Sequence, residues 1–117
     1  MKTRGTSVTF YTRPDGALTG YRAEGHSGYA PSGTDIVCAG VSALTQSTLN
    51  GLTNVAQVPM TSRVDDRSAL LEAIISPDAP ETKLEQAQLL LRTLLEGLQA
   101  IERSYPRNVR IFFEERR

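Results

Sequence analysis

The chain has no tryptophan, one histidine and one cysteine. A single cysteine permits no internal disulfide, and one Cys with one His cannot build a closed Cys/His zinc site. Cysteine used this sparingly points to a reducing, cytoplasmic setting. There is no surplus of charge of either sign, because 13 Lys and Arg balance 13 Asp and Glu. Neither half hides an imbalance. Residues 1–58 carry four positive and three negative side chains, and residues 59–117 carry nine and ten. A protein that coats nucleic acid or anionic lipid needs a basic field, so neither a direct nucleic-acid partner nor a membrane is expected. No apolar run exceeds a few residues, too few to cross a bilayer. Met1 to Gly5 leads into a strand-like segment without the apolar core of a secretory signal.

What is present fits one small globular domain over residues 1–117, with 39% apolar and 22% charged residues. Ser7 to Tyr11 alternates as a short strand, with Val8 and Phe10 on one side and Thr9 and Tyr11 on the other. Arg13-Pro14-Asp15-Gly16 is a turn signal, and Leu18 to Glu24 reads as the returning strand of a hairpin. Residues 25–34 hold three glycines, a proline and three hydroxyl residues, which predicts a loop. Asp35 is the expected N-cap of a helix whose apolar positions Val37, Val41, Leu44, the half-apolar Thr48, Leu52 and Val55 recur at three-four spacing. That helix is expected to end between Asn50 and Asn54. Ala56 to Arg63 predicts a strand, Asp65-Asp66 a turn, and Arg67 to Ile75 the partner strand. Asp78 and Glu81 resemble a capping box for a second helix, with Leu84, Ala87, Leu91, Leu94, Leu98, Ile101 and Tyr105 on one face. Pro106 stops it. Val109 to Phe113 forms a last short strand, and Glu114 to Arg117 a solvated charged end. The order ββαββαβ predicts a two-layer α+β domain with a mainly antiparallel sheet and two helices.

The chemistry-bearing residues gather in one stretch. His26 and Cys38 lie twelve positions apart across the glycine-rich loop. With Asp35 as N-cap, Cys38 falls in the first helical turn, where unpaired N–H groups and the positive end of the dipole favour a thiolate. His26, leaving the second strand, can return beside it as the base of a Cys–His pair. Ser42 stands one turn beyond Cys38 on the same face. The plainer reading is also physical. A single Cys on an apolar helix face is usually an inert core residue, a lone His after Gly is usually a turn residue, and Asp35 is explained by capping alone. Asp65-Asp66 as a cation site is less natural than Asp65-Asp66 as a turn.

Gly25-His26-Ser27-Gly28-Tyr29-Ala30, Gly33, Asp35-Ile36-Val37-Cys38-Ala39 and Val41-Ser42-Ala43-Leu44-Thr45-Gln46 resemble the signature of the ribosomal-processing cysteine protease family, Prp. The resemblance extends over nearly the whole chain. It implies a sheet with two helices, a cytoplasmic homodimer and no cofactor or metal. It implies a cysteine endopeptidase that removes an N-terminal extension from the precursor of large-subunit ribosomal protein 27. Under it Cys38 matches the nucleophile and His26 the base, while Gly25, Asp35 and Ser42 match positions that support the site. Tyr29 is then a candidate to line an apolar substrate groove, the alternative being a solvent-facing loop residue. Ser27 stands where the family often has Ala. Two other classes stay open. One is a non-enzymatic, ribosome-associated binding module, which has no need of the Cys–His pair. The other is a thiol redox sensor, which usually keeps a resolving cysteine that this chain lacks.

Overall fold

The structure is a computed structural model and describes residues 5–31 and 35–116. Five strands and two helices follow in the order β1 (Thr6–Thr12), β2 (Leu18–Glu24), α1 (Ile36–Asn50), β3 (Met60–Asp65), β4 (Leu70–Ile75), α2 (Glu81–Ser104) and β5 (Val109–Glu115). The strands form one sheet in the order β3-β4-β2-β1-β5. All neighbours are antiparallel except β1 and β5, which run parallel. The α+β fold with two helices and a mainly antiparallel sheet is therefore as the sequence predicts.

Alternation fixes the two faces of the hairpin. Val8 pairs with Ala23 and Phe10 with Tyr21 across β1 and β2, and all four side chains enter the core. The apolar stripe of α2 (Leu84, Ala87, Leu91, Leu94 and Leu98) closes over them. Burying a Leu side chain of this kind contributes roughly 1.5–3 kcal/mol. α1 joins the same core through Val37 and Val41. The Tyr21 hydroxyl donates to the Thr45 carbonyl at 2.7 Å and fastens α1 to the sheet. Burial pushes this phenol well above its ordinary range, because the charged form would lose its hydration. At the helix crossing, Gly97 gives Leu44 its room: a Cβ there would lie 3.1 Å from Leu44 Cδ1.

Several boundaries differ from the sequence expectation. α1 ends at Asn50, as expected, but the chain does not leave the helix axis there. It runs into a π-helical turn, Gly51–Val55, in which the Ala56 amide reaches back to the Gly51 carbonyl. The strand expected from Ala56 starts only at Met60, because Gln57 has a positive φ of 53° and Pro59 has no N–H to give a ladder. Asp65 ends β3 rather than opening the turn; its carboxylate accepts from the Arg67 amide at 2.9 Å. The partner strand begins at Leu70.

Asp78 is not the cap of α2. Pro80 holds that position in an extended conformation, and its ring also disfavours helical backbone at Ala79. Glu81 meets Arg13 at 3.3 Å instead of closing a capping box. Glu114 to Arg116 are exposed, as expected of a solvated end, but they are held in place. β5 continues through Glu115 because it pairs along all of β1, and Arg116 lies 4.0 Å over the Tyr11 ring. Arg117, Met1–Arg4 and Ser32–Thr34 lie outside the described residues. Among the described residues, no helix is long and apolar enough to cross a membrane.

Candidate active site

Strand β2 delivers the chain to the site through Gly25. This residue has a φ of +86°, and a Cβ on it would sit 2.7 Å from the Gly5 carbonyl oxygen. Only glycine fits both the conformation and the space. Its amide donates to the Ser68 carbonyl at 3.2 Å, and its carbonyl accepts from the Thr6 hydroxyl at 3.1 Å. The bend therefore hangs between β1 and the β3–β4 turn, and it sends His26 and Ser27 toward the start of α1.

Asp35 organises that start. Its Oδ1 accepts the Cys38 amide at 2.9 Å, which is the expected N-cap bond. Its Oδ2 accepts from the Ser27 hydroxyl at 2.5 Å, the Tyr29 amide at 3.1 Å and the Ala30 amide at 3.3 Å. Burial, the largest single influence, raises the pKa of this carboxyl. The bonds from Ser27, Cys38, Ala30 and Tyr29 together outweigh it and hold the group below the usual carboxylate value. Asp35 makes these bonds to the helix and the loop; it is not bonded to His26 among the described residues.

Cys38 is half-buried in the first turn of α1. The Ser27 amide donates to its Sγ at 3.1 Å. The sulfur thus meets a main-chain donor at the N-terminal end of α1. The Cys38 amide itself is occupied by Asp35, so it is not the free donor that its place in the helix suggests. His26 is exposed, and no hydrogen bond joins it to Cys38 among the described residues.

Two clefts meet at this point. One, about 270 Å³, opens toward the β3–β4 hairpin and is lined by Val41, Val64, Asp65 and Leu71. The other, about 450 Å³, opens toward the loop at Gly28, Ala30 and Ala39. His26, Cys38 and Ser42 line both. The Ser42 hydroxyl accepts from Gln46 Nε2 at 2.7 Å, and Gln46 lies in the wall of the first cleft. Tyr29 reaches the site through its main chain. Its ring, 47% exposed, stands edge-on to Tyr105 with centroids 5.1 Å apart and is in the wall of neither cleft. Among the described residues no group of three His, Cys, Asp or Glu side chains gathers to hold a metal.

Two contributors had no sequence reading as site residues. Ser27 is fully buried and makes the bond to sulfur. Asn108, just before β5, donates from Nδ2 to the Ser27 carbonyl at 2.9 Å. A serine between glycines in a loop gives a faint signal. An asparagine 81 positions away gives none.

The model of the family described as cysteine protease Prp matches residues 6–110. The ribosomal processing cysteine protease Prp of Staphylococcus aureus is 32% identical over 108 residues, covering 92% of this chain and 98% of its own. Among solved structures, the S. aureus Prp with a covalently linked product peptide superposes with a TM-score of 0.82 at 28% identity, covering 93% of this chain and 99% of that one. The same protease with a substrate peptide gives 0.79, again at 28% identity and the same coverage. With the thiol at the start of α1, the bend through Gly25 and the full-length match in agreement, the chain belongs to the Prp family of cysteine proteases.

Proposed function

We propose that this chain is a cysteine endopeptidase that removes the N-terminal extension from the precursor of large-subunit ribosomal protein 27. In this reading it acts in the cytoplasm as a homodimer, with residues 1–117 forming one catalytic domain. The relatives it matches are ribosomal processing proteases, and one of them has been crystallised with substrate and product peptides. The observation that carries the reading is the bond from the Ser27 amide to Cys38 Sγ at a junction of two clefts. An endopeptidase must hold chain on both sides of the scissile bond, and a nucleophile between two clefts suits that need.

His26 serves as the base and Cys38 as the nucleophile. The thiolate attacks the scissile carbonyl carbon, forming a C–S bond and placing negative charge on the carbonyl oxygen beside the positive end of α1. As sulfur loses its charge, the Ser27 amide is released from it and becomes available to the new oxyanion. The C–N bond then breaks, and the imidazolium of His26 gives its proton to the leaving amine. His26 next takes a proton from water, whose oxygen attacks the thioester. The C–S bond breaks, and the acid product leaves with the thiol restored. Gly25 and Asp35 support the site by shaping the bend and capping the helix, and Ser42 by lining both clefts.

The test is incubation of the extended precursor with the protein, Cys38→Ala and His26→Ala, with products read by mass spectrometry. One cut by the wild type, none by Cys38→Ala and a loss of at least about 100-fold in His26→Ala is expected. Binding of the precursor without cleavage by the wild type would favour the binding module instead.

A further inference from the structure

All three polar groups of Ser27 are engaged, and each goes to a different part of the fold. The hydroxyl donates to Asp35 Oδ2 at 2.5 Å, in a fully buried position at the start of α1. The carbonyl accepts from Asn108 Nδ2 at 2.9 Å, at the entry to β5. The amide donates to Cys38 Sγ at 3.1 Å. The two anchors hold the side chain and the carbonyl of Ser27, and with them the residue from which its amide, in the preceding peptide unit, points to the sulfur.

Both anchors are themselves held. Asp35 is the cap of α1 and also accepts the Tyr29 and Ala30 amides. The Asn108 carbonyl accepts the Thr6 amide at 2.8 Å, and Thr6 in turn donates to the Gly25 carbonyl. The segment that carries His26 is therefore tied on one side to the helix of the nucleophile and on the other to the β1–β5 edge. A hydrogen bond to a charged sulfur falls off steeply as its angle closes, so its worth depends on this aim.

We propose that Ser27 is a positioning residue for Cys38, clamped by Asp35 and Asn108 so that its amide is presented to the sulfur. The proposal rests on Cys38 as the nucleophile. Neither Ser27 nor Asn108 supplies a proton or touches the scissile bond through its side chain. Their substitution acts on how readily Cys38 exists as a thiolate.

The single cysteine makes the experiment clean, because iodoacetamide reports on Cys38 alone. The alkylation rate is measured from pH 4 to 10 in the full-length wild type, Ser27→Ala and Asn108→Ala, none of which adds a charge. Both variants are expected to react about tenfold more slowly near neutral pH, with the profile displaced to higher pH and the alkaline plateau unchanged. The plateau separates the two roles: a residue that only shields the thiol changes the plateau and leaves the midpoint in place. Folded variants whose profiles overlay the wild type, or differ only in the plateau, would overturn the proposal. Should Ser27→Ala fail to fold, Asn108→Ala carries the same test, since it leaves the buried hydroxyl intact. Displaced profiles in a protein that does not cut the ribosomal precursor would support the clamp and refute the proposed substrate.

Discussion

Asp35→Ala is the most informative single change outside the reacting pair. It removes the acceptor for the Cys38 amide, the Ser27 hydroxyl and the Tyr29 and Ala30 amides. Loss of an N-cap costs about 1 kcal/mol. The Ser27 hydroxyl is fully buried, and stranding such a donor costs about 1–3 kcal/mol more. Tyr29 is exposed and Ala30 half-buried, so water takes over their bonds at little cost. The variant is expected to lose about 2–4 kcal/mol of a total of about 5–15 kcal/mol. At about 4 °C per kcal/mol for a domain of this size, Tm falls by about 8–16 °C at pH 7.

The same carboxylate sets a pH dependence. Its pKa in the fold lies below the ordinary value of about 3.9, so the unfolded chain binds the proton more readily. The stabilisation is complete well above pH 4 and is lost as pH falls through the depressed folded value. The gap in Tm between wild type and Asp35→Ala should therefore be constant from pH 6 to 8 and shrink below about pH 4. Thermal unfolding followed by circular dichroism across that range is the assay. A fall of less than about 2 °C at pH 7, or a gap unchanged in acid, would refute the account of Asp35 as the ionised hub of the site.

Gly25→Ala places a methyl against the Gly5 carbonyl at a positive φ, with no flexible side chain to yield. It should cost at least about 2 kcal/mol in urea unfolding and abolish cleavage; wild-type activity would contradict the bend described here. Tyr21→Phe removes only the bond to the Thr45 carbonyl. A loss of about 1 kcal/mol in the same assay, with cleavage per folded molecule retained, is expected; a variant as stable as the wild type would show that this bond does not fasten α1 to the sheet.

Much of the fold was legible because its causes are local. Leu84, Ala87, Leu91, Leu94 and Leu98 repeat with the period of a helix, and Val8 and Phe10 with that of a strand. Asp35 could be read as a cap because a capping carboxylate needs only the three residues after it. Capping failed at Asp78, where Pro80 set the helix start from closer by. The bond partners of Asp35 in the loop, Ser27, Tyr29 and Ala30, lie within eight positions but depend on the bend at Gly25.

By itself, then, the sequence determined the α+β class, both helices, the hairpin, the cap on α1 and the place of Cys38 in its first turn, all products of neighbours a few bonds apart. Tertiary structure alone decided that β5 runs parallel to β1 through Glu115, that Tyr29 turns to Tyr105, and that Asn108 holds Ser27 against Cys38. Those outcomes join segments tens of residues apart. Their energies depend on how the sheet and helices pack, which no local spacing of residues encodes.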